Sequence, residues 1–236
     1  MGAPLGFLHE VEDFFHDPNT RFTEQTLIFL KLCAIPIVIS VVVGVLLGVL
    51  VARRPFAAFL ATNISGLARA IPTLAFLAVV LPYLGIGFTP AALALTVLGI
   101  PPILLNTIAG LRGIDPMITE AARGTGMTGA QVLIRIQAPL ALPVIAAGVR
   151  TTAVQIIATA PLAALIGAGG YGDYILEGIN LLQTAPLVVG SVAIAALAMI
   201  AEFSLAAVER AVTSEGLRQP AANVVERVPL AVPVTD

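Results

Sequence analysis

Five stretches of this 236-residue chain are each long and apolar enough to cross a lipid bilayer as a helix. They run near 26–51, 57–83, 90–111, 140–167 and 186–208. A spanning helix needs about 20 mostly apolar residues, because a rise of about 1.5 Å per residue must cover roughly 30 Å of hydrocarbon. Backbone groups in lipid must find their partners within the segment, which a helix achieves. Composition agrees. The chain is 58% hydrophobic and 11% charged, where a soluble domain carries about 25% charged residues. The expected fold is an all-α polytopic membrane protein with about five transmembrane helices.

Arginine placement sets the expected orientation. Arg53 and Arg54 follow the first segment, Arg112, Arg123 and Arg135 lie between the third and fourth, and Arg210, Arg218 and Arg227 follow the fifth. The opposite side offers Arg21, with no basic residue at 83–90 or at 168–185. The positive-inside rule puts the N-terminus outside and the C-terminus in the cytoplasm. Three regions follow: an external acidic arm over 1–25, a membrane domain over 26–211 and a flexible cytoplasmic tail over 212–236. Glu10, Glu12, Asp13 and Asp17 interrupt the start of the chain, so no cleaved signal is expected there and the first segment acts as its own insertion signal. Phe7, Leu8, Val11, Phe14 and Phe15 fall at helical spacing and predict a small interfacial helix. A His-Glu-x-x-His zinc site would need histidine where Asp13 stands, so no metal is expected.

Pro36, Pro72, Pro101, Pro102 and Pro161 lie inside apolar segments and predict kinks or breaks, with the Pro101-Pro102 doublet the strongest kink. Gly44 and Gly48 make a small-xxx-small pair that lets another helix approach. Cys33, the single cysteine, reads as a structural thiol. The one lysine, Lys31, lies near an interface and reads as snorkelling.

Between the third and fourth segments, over about 113–139, lies a loop with its own grammar. Asp115-Pro116 reads as a helix N-cap followed by a first-turn proline. Glu120, Ala121, Ala122 and Arg123 are helix formers, Gly124 and Gly126 end that helix, and Thr128 caps a second one running to Ile136. Pro139 and Pro143 mark the return into the membrane. Two short helices joined by a glycine make a knob that another protein can grip.

The pattern Glu120-Ala121-Ala122, Gly126, Ile136, Pro139 resembles the coupling loop of the permease subunits of bacterial ATP-driven importers. Ala138 stands where that family usually has leucine. The resemblance implies the type I importer permease fold, with the knob seated in a cleft of a cytoplasmic ATP-binding subunit. Glu120 and Gly126 are the carried-over contacts, framed by Ala121, Ala122, Ile136 and Pro139. It also implies a second permease subunit, identical or homologous, and an external substrate-binding protein. ATP and magnesium would be used by the partner subunit, with no cofactor on this chain.

The residues agree that the chain is not itself an enzyme. The glycine-rich run Gly167–Asp173 cannot be a phosphate loop, which needs Gly-Lys-Ser/Thr, and reads as a tight external turn. No serine–histidine–acid set is assembled. Net charge is −2 and no basic, aromatic-interleaved patch exists, so no nucleic-acid partner is expected; the lipid bilayer is.

The stretches Ala70–Ala75, Leu84–Gly87, Gly148–Gln155 and Gly167–Asp173 look like those of importers for glycine betaine, choline, carnitine or proline betaine. Pro161 departs from that pattern. A quaternary ammonium is best held over aromatic faces. This chain has no tryptophan, and Tyr83, Tyr171 and Tyr174 all fall near the external side. A tight aromatic cage therefore belongs to the external binding protein, and this subunit offers a low-affinity passage. A permease for methionine or another amino acid, or an ion-coupled carrier, is the alternative. Ionisable residues within spans are functional candidates: here Arg69, Arg150 and Glu202, with Asn63, Asn106 and Gln155 as polar companions. Arg150 and Glu202 fall at similar depth, so they either pair as a gate or packing tie, or Arg150 snorkels to the headgroups.

Overall fold

In the computed structural model, residues 4–17 and 20–213 are described. Every regular element among them is helical. In chain order these are α1 (Pro4–His16), α2 (Phe22–Ala52), α3 (Pro55–Ala70), α4 (Thr73–Leu84), α5 (Phe88–Arg112), α6 (Pro116–Gly124), α7 (Gly129–Val132), α8 (Ala138–Thr159), α9 (Tyr171–Leu181) and α10 (Thr184–Val212). A π-helical turn, Leu133–Gln137, joins α7 to α8, and a 3₁₀ turn, Ala160–Ile166, extends α8.

Helix α5 is the centre of the bundle, with α2, α3 and α8 packed around it. It is apolar on all sides and buried on most, as a central helix must be. Helix α2 turns a single stripe toward it: Phe29, Leu32, Cys33, Pro36, Ser40, Gly44 and Gly48 are buried. Val38, Val42, Leu46 and Leu50 lie exposed on its other side, an arrangement suited to lipid and not to water. A Cβ on Gly48 would lie 2.5 Å from Cβ of Thr107, and one on Gly44 would lie 2.9 Å from Cβ of Ile103. The glycine pair is therefore where α2 meets α5.

Four helical stretches are long and apolar enough to cross a membrane: α2, α5, the 38 residues from Gly129 to Ile166, and α10. The fifth expected span, 57–83, is not one rod. Helices α3 and α4 meet at 91°. Pro72 has no N–H and keeps the residue before it out of helical geometry; Ile71 is accordingly extended (φ −73°, ψ 121°). At twelve residues, α4 is too short to span alone.

The proline doublet behaves differently. Helix α5 runs unbroken through Pro101 and Pro102, both buried. Hydroxyls of neighbouring helices pin it on either side of the weakened turn: Ser40 donates to the carbonyl of Thr96 at 2.9 Å, and Thr152 to that of Gly99 at 3.2 Å. These cross-helix bonds hold the carbonyls on either side of those of Val97 and Leu98, the two to which proline offers no donor.

The glycine run after α8 is a turn only as far as Gly170. Gly167, Gly169 and Gly170 have φ of 71°, 79° and 85°, where glycine carries no steric penalty. Helix α9 follows at once, where the glycine run predicts only a tight turn. Pro161 sits in the first turn of the 3₁₀ segment, where its missing N–H costs little. Its carbonyl presses against Gly172, leaving no room for a side chain there.

Helix α1 is where the arm was expected to form one, and it lies on the bundle. Phe14 meets Tyr174 edge to face at 5.1 Å. Phe22, Phe29, Tyr171 and Tyr174 continue the cluster. The tail beyond Thr213 lies outside the described residues.

Candidate functional site

The element around Glu120 is built by its caps. Asp115 Oδ1 accepts from the backbone of Met117 at 2.8 Å, with Pro116 in the first turn. Helix α6 then ends in a two-bond lock: Gly126 N–H donates to the carbonyl of Arg123 at 2.9 Å, and Met127 N–H to that of Ala122 at 3.3 Å. This closure needs a left-handed residue, which Gly126 supplies with φ 85°. Thr128 and Gln131 exchange the two bonds of a capping box, 2.7 and 3.4 Å. The result is two short helices joined by a turn that local hydrogen bonds close.

Glu120 and Ala121 face outward. Ala122 is only 9% exposed, so its methyl packs mostly inside the knob. Ile136 is half-buried and Pro139 exposed. At Pro139, which marks the return toward the membrane, the helix does not stop: α7, the π turn and α8 form one continuous stretch. Ala138 N–H donates to the carbonyl of Leu133, five residues back. The extra residue in that turn carries the chain past a proline without stopping the helix.

A second cluster ties α8 to α10. Arg150 Nε lies 3.6 Å from Glu202 Oε1, and Arg150 Nη1 lies 3.0 Å from Glu209 Oε2. The structure thus brings together the two residues that the sequence singled out and adds a third. The Glu209 contact is an ion pair without hydrogen-bond alignment. All three side chains remain a quarter to two-fifths exposed. The sequence reading missed Glu209 because it ended the fifth span at 208; its position seven residues after Glu202, two turns along one face, was the available signal. Arg69 is not part of this group. It lies exposed in the last turn of α3, beside the bend. Asn63 donates within its own helix to Phe59. Asn106 donates to Pro102 and fills the space opposite Gly148.

Of the three tyrosines, Tyr83 is exposed and the other two are taken up inside the fold. Tyr171 and Tyr174 are buried, and their hydroxyls donate to Thr26 Oγ1 at 2.9 Å and to the carbonyl of Thr20 at 2.6 Å. Burial, with Tyr171, Glu177 and Asp173 nearby, pushes the Tyr174 hydroxyl up to about 12. Burial also raises the Asp173 carboxyl above its ordinary value, offset in part by the Gln25 amide. The same Gln25 accepts from Gly170 N–H at 2.6 Å, fastening the glycine turn to α2.

Residues 40–214 match the family described as binding-protein-dependent transport system inner membrane component. The chain belongs to that family. It is therefore an inner-membrane permease subunit of an importer. Among its relatives are the carnitine transport permease protein OpuCB of Listeria monocytogenes, 36% identical over 87% of this chain and 94% of that one. The glycine betaine/carnitine/choline transport system permease protein OpuCB of Bacillus subtilis is 39% identical over 89% and 97%. Its choline transport system permease protein OpuBB is 36% identical over 90% and 98%. A solved chain of the inward-facing MetNI methionine ABC transporter superposes with a TM-score of 0.74 at 23% identity, covering 91% of this permease and all of that chain. A chain of an amino acid ABC transporter gives 0.70 at 20% identity. At such identities the likeness speaks for the fold: an importer permease.

Proposed function

We propose that this permease carries quaternary-ammonium compatible solutes, of the carnitine, choline and glycine betaine class, in an importer driven by a separate ATPase. The observation that carries the reading is the substrate class shared by relatives aligned along nearly the whole chain. The solved neighbours that handle amino acids are more distant in sequence, so an amino-acid substrate is the weaker reading.

In this reading the N-terminus is external, the Glu120 knob cytoplasmic, and the solute arrives from an external binding protein. Exposed Glu120 and Ala121 meet the ATP-binding subunit, while Gly126 sets the angle of the knob. ATP and magnesium stay with that partner. A second permease, identical or homologous, completes the path. Because α7 continues into α8, movement of the knob is movement of a spanning helix, which suits alternating access.

The test is uptake of labelled carnitine, choline and glycine betaine in a host lacking other importers for them. Deletion of the subunit should abolish uptake. Glu120→Arg should cut it at least tenfold with the subunit still in the membrane. Undiminished uptake of all three after deletion would refute the substrate class. Full activity in Glu120→Arg would refute the coupling role.

A further inference from the structure

An apolar groove of about 490 Å³ opens between α2, α8 and α10 at the same end of the bundle as the Glu120 knob. Val41, Val45 and Val49 form one wall, Leu142, Ile145 and Val149 another, with Leu205 and Val208 of α10 closing it. A second pocket of about 260 Å³ adjoins it and shares Val49, Leu111 and Leu133. Its character is opposite. Arg53, Arg123 and Gln137 line it. Neither arginine has an ion-pair partner among the described residues.

We infer that the two pockets form one site for an anionic phospholipid, with an acyl chain in the groove and the phosphate between Arg53 and Arg123. The dimensions fit. Val41 to Val49 spans about 12 Å along α2 by helical rise, close to the roughly 15 Å depth of one leaflet's hydrocarbon. The arginines follow directly at the end of that depth, where the headgroup layer begins. Basic pockets between transmembrane helices are suited to anionic headgroups, and two guanidinium forks offer the planar donors that phosphate accepts. A protein helix filling the groove would gain nothing from the arginines, and a free anion nothing from the groove. The inference rests on the membrane placement of the family and is independent of which solute is carried.

Native mass spectrometry of the assembled, delipidated importer tests it, with phosphatidylglycerol, phosphatidylcholine and glycerol phosphate as probes. The complex should retain phosphatidylglycerol at least fivefold over phosphatidylcholine. R53Q/R123Q should abolish that preference, whereas R54Q/R112Q, which removes equal charge from the same end but outside the pocket, should keep it. Ala146→Trp, which fills the groove, should lower retention of both lipids. Equal retention of the two lipids by the unaltered complex would overturn the site. So would equal loss of preference in both arginine pairs, since that reports only a general surface potential. Binding of glycerol phosphate as tight as that of the lipid would reduce it to an anion pocket. Loss of permease pairing in Ala146→Trp with lipid retention intact would show that protein fills the groove. R53Q/R123Q changes exposed side chains only, so its result stands even if Ala146→Trp fails to assemble.

Discussion

At the scale of single residues, two glycines of the bundle make a matched comparison. Gly48 faces Thr107 at a distance no real side chain tolerates, whereas a Cβ on Gly66 meets nothing within 4 Å. Gly48→Ala should lower stability by about 1–3 kcal/mol through overpacking. Gly66→Ala should raise it by up to about 1 kcal/mol through helix propensity. Thermal unfolding in detergent checks both, and equal shifts would show that α2 does not approach α5 as closely as described. Asp173 gives a prediction in pH. Its carboxyl is raised by burial, so the folded state holds the proton more tightly than the unfolded one. The resulting stability is present at acid pH and lost as pH rises through the folded value. Asp173→Asn should therefore gain on the unaltered protein as pH rises from below the ordinary carboxyl range to above it, and a difference constant with pH would contradict this. In the ion cluster, Glu209→Gln should cost more than Glu202→Gln, because Glu209 is the nearer and less exposed partner of Arg150. Both effects should stay within about 1 kcal/mol, as for partly solvated pairs.

At the scale of elements, proline shows what could be read in advance and what could not. All the interior prolines were visible in the sequence, yet only Pro72 breaks its segment at a right angle. The difference lies in what surrounds each one. Pro101 and Pro102 are buried in α5 between helices that supply Ser40 and Thr152 as donors; Pro72 is exposed with nothing to hold the rod straight. Partners from distant sequence decide the outcome, and periodicity does not carry them. Pro72→Ala should let α3 and α4 straighten, lengthening the distance between spin labels at Thr62 and Val79. An unchanged distance would assign the bend to packing alone. Helix α9 was hidden for another reason. It is too short to span, it mixes Asp173, Glu177 and Asn180 with its tyrosines, and it follows a glycine run that signals turn. The caps of α6 and α7 were legible to the residue, because capping is local chemistry written within four positions.

At the scale of the whole molecule, membrane class, bundle and knob were legible because each is set by nearby residues, while the junctions between them were not. Pro139 marks the return into the membrane, and the π turn carries the helix through it with no joint between knob and span. A Gly-Gly insertion after Gln137 should introduce one. In the assembled importer, ATP hydrolysis should continue while uptake falls at least tenfold; parallel loss of both would mean that the insertion dislodges the knob. Without such a joint, the stretch from Gly129 to Ile166 measures about 60 Å by helical rise, twice the thickness of the hydrocarbon it crosses. It is a pushrod with no clutch. The stretch ends at the left-handed glycine turn Gly167–Gly170, which Gln25 fastens to α2. On the proposed coupling role, a displacement of the knob at one water boundary would thus arrive at the other without a joint to absorb it in between.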